Sequence, residues 1–474
     1  MERVLVIGLD AATWDVMRPA IDYNKLPALN SLIRNGSSHV LVSTLPAHSA
    51  PGWTSAFTGV NPGKHGVFDF FRWEGYERKI VHSGDVSARY VWEIASDCNV
   101  KSIVVNVPMT FPPRPLNGVM VSGIPFVEGT KNFTFPATIQ PKLQELGYEV
   151  DPKPSSPDKY DTLLLESETV RLDATIQLME EHEWDLAVVV FTALDRIQHR
   201  YWKYFKNEGN LIEERLRGAI PNAYDKIDTL VARLLRAAGP SKVLVMSDHG
   251  FTSCKHIFFA NEWLRRENYL VSKTTASKKA MRSFGITREG LKKKAPRSFR
   301  KIMPRKFARA IPTARASRED LNWDETKAWL SSPGSQGIIV KKSIEPIQSR
   351  DEVRKKLVES LSSLAIQSAE GGIVKRAMPR EMLYWGDEVG KAPDVMLALE
   401  DGWRLSENIG GHLVETTEEG WHHREGILIL SGDLPSQGRN GLRANIMDVA
   451  PTLLDMMGLP IPAHFDGKSL LKHK

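Results

Sequence analysis

VLVMSDHG, at residues 243–250, joins a short apolar run to an aspartate and a histidine. A run of this kind, rich in β-branched residues, is typical of a buried strand. In open α/β sheets, ligands bind beyond the carboxyl ends of such strands. The stretch therefore predicts a strand over 242–247 whose end, at Asp248 and His249, belongs to a functional site.

Two other apolar runs end in acidic residues. VLVIGL at 4–9 is followed by Asp10, and LAVVVF at 186–191 precedes Asp195, with His199 four positions later. Positions i and i+4 share one face of a helix, so this carboxylate and imidazole can reach one cation. Like charges gathered at one edge of a sheet repel unless a cation neutralises them. The three strand ends together therefore indicate a metal site.

Each piece alone also has a structural interpretation. Asp10 is a suitable cap for a helix after its strand, and Asp195 and His199 would be unremarkable on an exposed helix flank. Only their joint occurrence favours a metal site.

The fold class follows from the alternation of strand and helix patterns. Strands are predicted over 4–9, 102–107, 118–123, 186–192, 242–247, 394–399 and 426–431, and helices over 27–34, 86–97, 162–182, 222–237, 350–366 and 445–457. Continuous apolar strands separated by helices predict an α/β fold with a mostly parallel central sheet and helices on both faces.

Composition narrows the class of protein. The chain has 474 residues, 42% of them hydrophobic, which supports a large core. Two cysteines are too few for a disulfide framework and favour a reducing compartment. The start has no signal-peptide pattern, and no apolar run reaches the roughly 18 residues that span a bilayer. We therefore expect a cytoplasmic protein.

One basic segment interrupts the alternation. Between Lys273 and Arg318 there are 16 lysines and arginines against one acid, Glu289. We predict that residues 262–322 form a basic insertion or cap within a core made of 1–261 and 323–474.

This segment has two interpretations, a solvated surface excursion or a basic collar that attracts an anionic substrate or surface. Phe299, Ile302, Met303 and Phe307 among its cations are consistent with peripheral contact between 273–318 and an anionic membrane. Nucleic acid is a weaker candidate, because no reading motif is present.

The candidate nucleophile is Ser49, in PAHSAPGWTS at 46–55. Pro51 suits the first turn of a helix, and a helix over 51–58 would aim its N-terminal amides at an anion beside Ser49. A hydroxyl next to a divalent metal can ionise and attack phosphorus. Ser49 as a helix N-cap is the structural alternative, and the two roles are compatible.

Taken in order, these pieces resemble the alkaline phosphatase superfamily and, within it, the type I phosphodiesterase/nucleotide pyrophosphatase family. The resemblance covers about residues 3–260 and 323–470. It rests on Asp10 after the first strand, SAPGWTS at 49–55 with Thr58-Gly59, NPGKHG at 61–66, Asp195 with His199, SDHG at 247–250, His422, and DVAPTLL at 448–454.

The resemblance implies two divalent metal ions, usually zinc, although the Asp/His set also suits manganese. By resemblance, one ion is held by Asp10, Asp248 and His249 and contacts the Ser49 oxygen. The other is held by Asp195, His199 and His422. His422 is preferred to His423 because it stands four residues before Gly426, where the family's ligand usually lies. Ser49 matches the nucleophile, which forms a covalent phospho-enzyme.

The chain departs from the family at Gly52, where the family usually has an asparagine that helps to hold a phosphoryl oxygen. We expect Gly52 to offer only its backbone amide to the substrate. Trp53 stands where sulfatases need an arginine, which argues against that class.

The expected function is a metal-dependent phosphohydrolase acting on a phosphodiester, a pyrophosphate or a phosphomonoester, in a small molecule or a lipid. The alternatives are a phosphotransferase that uses the same site, and a non-catalytic scaffold that binds an anionic membrane or polymer. The oligomeric state is left open.

Overall fold

The computed structural model describes the chain except for residues 1, 23, 127–131, 155, 207–212, 274–319, 345, 365–371, 435–440 and 472–474. The described residues divide into two units. The first lies within 1–253, 384–392 and 418–474, and the second within 254–383 and 393–417. Most of the basic segment therefore lies outside the described residues.

The strands are β1 (Val4–Leu9), β2 (Gly36–Val42), β3 (Phe71–Glu74), β4 (Glu77–Ile80), β5 (Ser102–Val105), β6 (Gly118–Val121), β7 (Thr134–Phe135), β8 (Leu186–Phe191), β9 (Lys242–Met246), β10 (Gly250–Ser253), β11 (His256–Phe259), β12 (Ala328–Leu330), β13 (Gly337–Val340), β14 (Val374–Pro379), β15 (Val395–Leu399), β16 (Trp403–Ser406), β17 (Val414–Thr416), β18 (Gly420–His423), β19 (Glu425–Gly432) and β20 (Arg443–Asn445). The helices are α1 (Trp14–Asp22), α2 (Pro27–Arg34), α3 (Ser49–Thr58), α4 (Pro62–His65), α5 (Val91–Asp97), α6 (Gln140–Glu145), α7 (Tyr160–Glu181), α8 (Ala193–Phe205), α9 (Glu214–Ala238), α10 (Ala260–Arg266), α11 (Ile347–Ser362) and α12 (Val449–Met456).

The first unit is built on a nine-stranded sheet in the order β20-β2-β19-β9-β1-β8-β5-β6-β7. β1 pairs in parallel with β9 on one side and β8 on the other, and β8, β5 and β6 continue the parallel run. β19 is antiparallel to both β9 and β2, and β7 is antiparallel to β6. The predicted mostly parallel α/β fold is confirmed.

Both faces of this sheet are covered by helices, because its central strands are apolar on both sides. Val4 and Val6 of β1 point into one core, with side chains from α3, α5 and α12. Leu5, Ile7 and Leu9 point into the other core, with side chains from α1, α2, α7, α8 and α9. Successive residues of a strand face opposite ways, so a strand buried on both faces reads as a continuous apolar run.

The second unit contains two smaller sheets, ordered β16-β11-β17 and β12-β13-β15-β14. The predicted strand over 394–399 forms as β15, but our assignment of it to the parallel central sheet is wrong. β15 lies antiparallel between β13 and β14. An apolar run indicates a buried strand without indicating its partner, so periodicity alone does not distinguish the two sheets.

The second unit includes residues 323–383 and 393–417. The predicted basic insertion over 262–322, within a core of 1–261 and 323–474, stays a prediction. Within the described residues, no helix is both long and apolar enough to cross a membrane.

Candidate metal centre and active site

Three neighbouring parallel strands bring three aspartates to one edge of the sheet. Asp10 follows β1 directly, Asp248 follows β9 after one residue, and Asp195 is the third residue of α8, just beyond β8. The Asp10 N–H donates to the Phe191 carbonyl at 3.0 Å, which ties the end of β1 to the end of β8. The predicted meeting of the three acidic strand ends is therefore observed.

The first cluster surrounds the nucleophile candidate. His249 Nε2 lies 3.2 Å from Ser49 Oγ, 3.4 Å from Asp248 Oδ2 and 3.9 Å from Asp10 Oδ1. All four side chains are buried. His249 Nδ1 lies 2.9 Å from the Gly250 carbonyl, which needs a donor there, so Nε2 is left with its lone pair free for a ligand.

The second cluster joins α8 to β18. Asp195 Oδ1 lies 3.4 Å from both His199 Nε2 and His422 Nε2, and the two imidazole nitrogens are 2.8 Å apart. His422 reaches this position because β18 pairs with β10, opposite Phe251. Its Nδ1 lies 3.1 Å from the Ala47 carbonyl, so here too Nε2 is the nitrogen that faces the cluster.

The residues present fit metal ions. Asp10 Oδ1, Asp195 Oδ1 and Asp248 Oδ2 are buried and accept no hydrogen bond from the described residues, which is costly without a cation. Within those residues, two groups place their ligand atoms within 4.8 Å of one another: Asp195 with His199 and His422, and Asp10 with Asp195 and His249. Three carboxylates and three imidazoles form a donor set that suits zinc or manganese.

One of these groups differs from the ligand set implied by the resemblance. Asp195 lies in both groups, whereas Asp248 lies in neither at this distance limit. Asp248 still belongs to the site, because its Oδ2 faces His249 Nε2 and its Oδ1 accepts the Ala11 N–H at 3.3 Å.

Burial and neighbouring charges give the three carboxyl groups different pKa values. Burial, together with the charges of Asp248 and Asp195, raises the pKa of Asp10 well above its ordinary value. Burial, aided by the charge of Asp195, raises the pKa of Asp248 to about 7. Burial also opposes ionisation of Asp195, but His199 and His422 outweigh it and lower its pKa. Asp195 therefore carries the negative charge most readily.

The start of α3 corrects two expectations. The helix begins at Ser49 rather than at Pro51, and the extended His48 is its N-cap. The Gly52 N–H donates to the His48 carbonyl at 2.9 Å, within the first helical turn, and the expected contact between this amide and the substrate stays a prediction. A Cβ at Gly52 would lie 3.2 Å from the Asp248 Cβ and carbonyl oxygen, which leaves little room for an asparagine.

Sequence reasoning missed the residues that support the candidate ligands. Trp53 Nε1 donates to Asp10 Oδ2 at 3.2 Å. Glu168 accepts the N–H groups of Thr192 and Ala193, both at 2.7 Å, and so holds the start of α8. Glu168 could have been found from the sequence, because it is a charged residue on the buried face of the helix predicted over 162–182.

Comparisons with known proteins identify the family of the chain. The sequence profile described as Type I phosphodiesterase / nucleotide pyrophosphatase matches residues 4–425. The chain therefore belongs to this family of phosphoric-ester hydrolases within the alkaline phosphatase superfamily. A search of curated proteins returns no match.

Solved structures of the same superfamily share the fold. Human ectonucleotide pyrophosphatase/phosphodiesterase 5 aligns at a TM-score of 0.57 and 12% identity, covering 98% of this chain and 97% of that one. Phosphonoacetate hydrolase from Sinorhizobium meliloti, bound to phosphonoformate, aligns at 0.56 and 15%, covering 95% and 94%. Alkaline phosphatase PafA aligns at 0.58 and 14%, covering 99% of both chains.

We expect the metal-free protein to lose stability as the pH rises from about 4 to about 7. The folded chain keeps a proton on Asp248, whose pKa is about 7, whereas the unfolded chain releases it near an ordinary pKa of 3.8. Because only the unfolded chain releases this proton in that window, each pH unit of increase lowers the free energy of unfolding by up to about 1.4 kcal/mol.

Urea denaturation of chelator-treated protein across that pH range measures the slope. Asp248→Asn has no titrating proton at this position, so its free energy of unfolding should fall less steeply with pH than that of the wild type. Parallel slopes in the two proteins would contradict the assignment.

Proposed function

We propose that this chain is a metal-dependent phosphohydrolase that cleaves its substrate through a covalent phospho-Ser49 intermediate. The observation that carries the proposal is the position of Ser49 Oγ, 3.2 Å from His249 Nε2 and at the first residue of α3. The family favours a phosphodiester or a pyrophosphate as the substrate, with a phosphomonoester as the third candidate.

The side chains of the two clusters would hold the cations. Asp10, Asp248 and His249 are proposed to bind one ion beside Ser49, and Asp195, His199 and His422 the other. Zinc is the first choice and manganese the second. When bound, the ions would polarise the phosphoryl group and lower the pKa of the Ser49 hydroxyl.

The chemical steps then concern Ser49. Its Oγ gives up its proton to solvent and attacks phosphorus, the bond from phosphorus to the leaving oxygen breaks, and the leaving oxygen takes a proton from solvent. The amides at the start of α3 face the anion, because a helix N-terminus favours negative charge. Water then hydrolyses phospho-Ser49, which returns the free hydroxyl.

Replacing Ser49 with alanine tests the nucleophile. We expect Ser49→Ala to lose at least about a thousandfold in kcat on bis-p-nitrophenyl phosphate and p-nitrophenyl phosphate, while keeping its fold and metal content. Full activity in Ser49→Ala, or a wild type that binds no metal, would overturn the proposal. If an added alcohol captures the phosphoryl group in preference to water, the chain is instead a phosphotransferase.

Adjacent histidines provide a matched pair for the second cluster. His422 Nε2 faces Asp195, whereas His423 Nδ1 accepts the Glu425 N–H at 3.3 Å. We expect His422→Ala to bind about one divalent ion fewer per chain and to lose most of the activity, whereas His423→Ala should retain both. Atomic absorption on purified protein counts the metal. Equal metal loss in the two variants would contradict the ligand assignment.

The basic segment at 273–318 remains a proposed contact with anionic membrane. A cytoplasmic location, itself a proposal, would place its cations near an anionic leaflet, where each contributes about 1 kcal/mol. We expect deletion of the segment to reduce sedimentation with phosphatidylserine vesicles and to leave binding to neutral vesicles unchanged. Unchanged binding to anionic vesicles would remove the segment from this role.

A further inference from the structure

The segment Leu45–His48, which leads into Ser49, is held by hydrogen bonds to its backbone. The Ala47 carbonyl lies 3.1 Å from His422 Nδ1, and the Leu45 carbonyl accepts the Tyr384 hydroxyl at 2.7 Å. Both bonds end on the four residues before the nucleophile. The same short segment therefore sets the position of Ser49 and supports an imidazole of the second cluster.

We propose that Tyr384 is a positioning residue for Ser49, acting through its hydrogen bond to the Leu45 carbonyl. This inference rests on the proposed function, because it assigns Tyr384 to the placement of the nucleophile. Tyr384 does not contact the metal ligands in this role. It fixes the position of the backbone that leads from Leu45 into α3.

The surroundings of Tyr384 hold its hydroxyl in place. The side chain is only 4% exposed, and its ring packs edge-on against Phe68, with centroids 5.0 Å apart. Burial raises the pKa of Tyr384, so the hydroxyl remains a donor across the working pH range. A buried donor with one fixed acceptor constrains the acceptor's backbone.

The residues after Tyr384 hold the chain on the other side of α3. Asn61 Nδ2 donates to the Trp385 carbonyl at 2.9 Å, and the Glu388 N–H donates to the Gly63 carbonyl at 2.8 Å. A Cβ at Gly63 would lie 2.6 Å from the Trp385 carbonyl oxygen, so the two backbones approach as closely as a glycine allows. The stretch 384–388 therefore contacts the chain both before and after the helix that carries Ser49.

Tyr384→Phe tests the inference because it removes only the hydroxyl. Misplacing a reacting group by about 1 Å can cost a hundredfold in rate. We expect kcat on bis-p-nitrophenyl phosphate to fall about ten- to a hundredfold, with KM changed less than about threefold, because the hydroxyl affects attack more than substrate binding.

Two control variants separate positioning from stability. Tyr90→Phe removes an equally buried bond, from the Tyr90 hydroxyl to the Met109 carbonyl at 2.9 Å, and its own contact with α3 is at Thr54, five residues beyond Ser49. Trp385→Phe removes the bond from Nε1 to Asp466 at 3.0 Å in the same stretch and leaves the Leu45 contact in place. Both should keep kcat within about twofold of the wild type. All variants are assayed at a temperature where thermal scans show them folded.

The outcomes distinguish this inference from the proposed function. If Ser49→Ala is inactive but Tyr384→Phe matches Tyr90→Phe in kcat, the positioning role is wrong and the nucleophile stands. If Ser49→Ala is active, the proposed function is wrong, and the inference about Tyr384 is wrong with it. A kcat loss confined to Tyr384→Phe, at unchanged metal content, supports the inference.

Discussion

Repulsion among three carboxylates, buried at Asp10 and Asp248 and half-buried at Asp195, is the constraint on which the site depends. Asp10, Asp195 and Asp248 lie at the ends of adjacent strands, and each retains an oxygen that accepts no hydrogen bond from the described residues. Burial and mutual repulsion raise the pKa values of Asp10 and Asp248, and only Asp195 is held ionised by its histidines. Such an edge is stable with all its charges only when cations occupy it.

Polar groups around the site hold these carboxylates in position by hydrogen bonds. The Trp53 indole and the Ala11 amide each hold one oxygen, of Asp10 and Asp248 respectively. Glu168 holds the start of α8, which carries Asp195 and His199. These contacts orient the carboxylates while leaving one oxygen of each toward the site, as supporting groups around metal ligands do.

The two clusters differ in their access to solvent. Asp248 and His249 are fully buried, whereas the His199 side chain is 31% exposed. Ser49 belongs to the more deeply buried cluster, so the proposed nucleophile lies in a low-dielectric environment where charge interactions are strong. The second cluster lies closer to solvent, with Asp195 19% and His422 10% exposed.

Most of what could be predicted from the sequence concerned the central strands and the residues at their ends. β1, β8 and β9 were found because strands buried on both faces read as unbroken apolar runs. β2, which reads GSSHVLV, was missed because only alternate side chains are buried and its first half is polar. The start of α3 was misjudged: the helix begins at Ser49, two residues before Pro51, because a proline is tolerated in the first turn without marking its first residue.

The sequence by itself determined the fold class and the identity of the candidate ligands, since both depend on local pattern: apolar runs, and the acids and histidines at their ends. The tertiary structure decided how those residues combine. That Asp195 lies in both ligand groups, that His422 rather than His423 faces it, and that Tyr384 reaches the nucleophile segment all depend on strand pairing and loop paths. These are contacts between residues up to hundreds of positions apart, and no local periodicity records them.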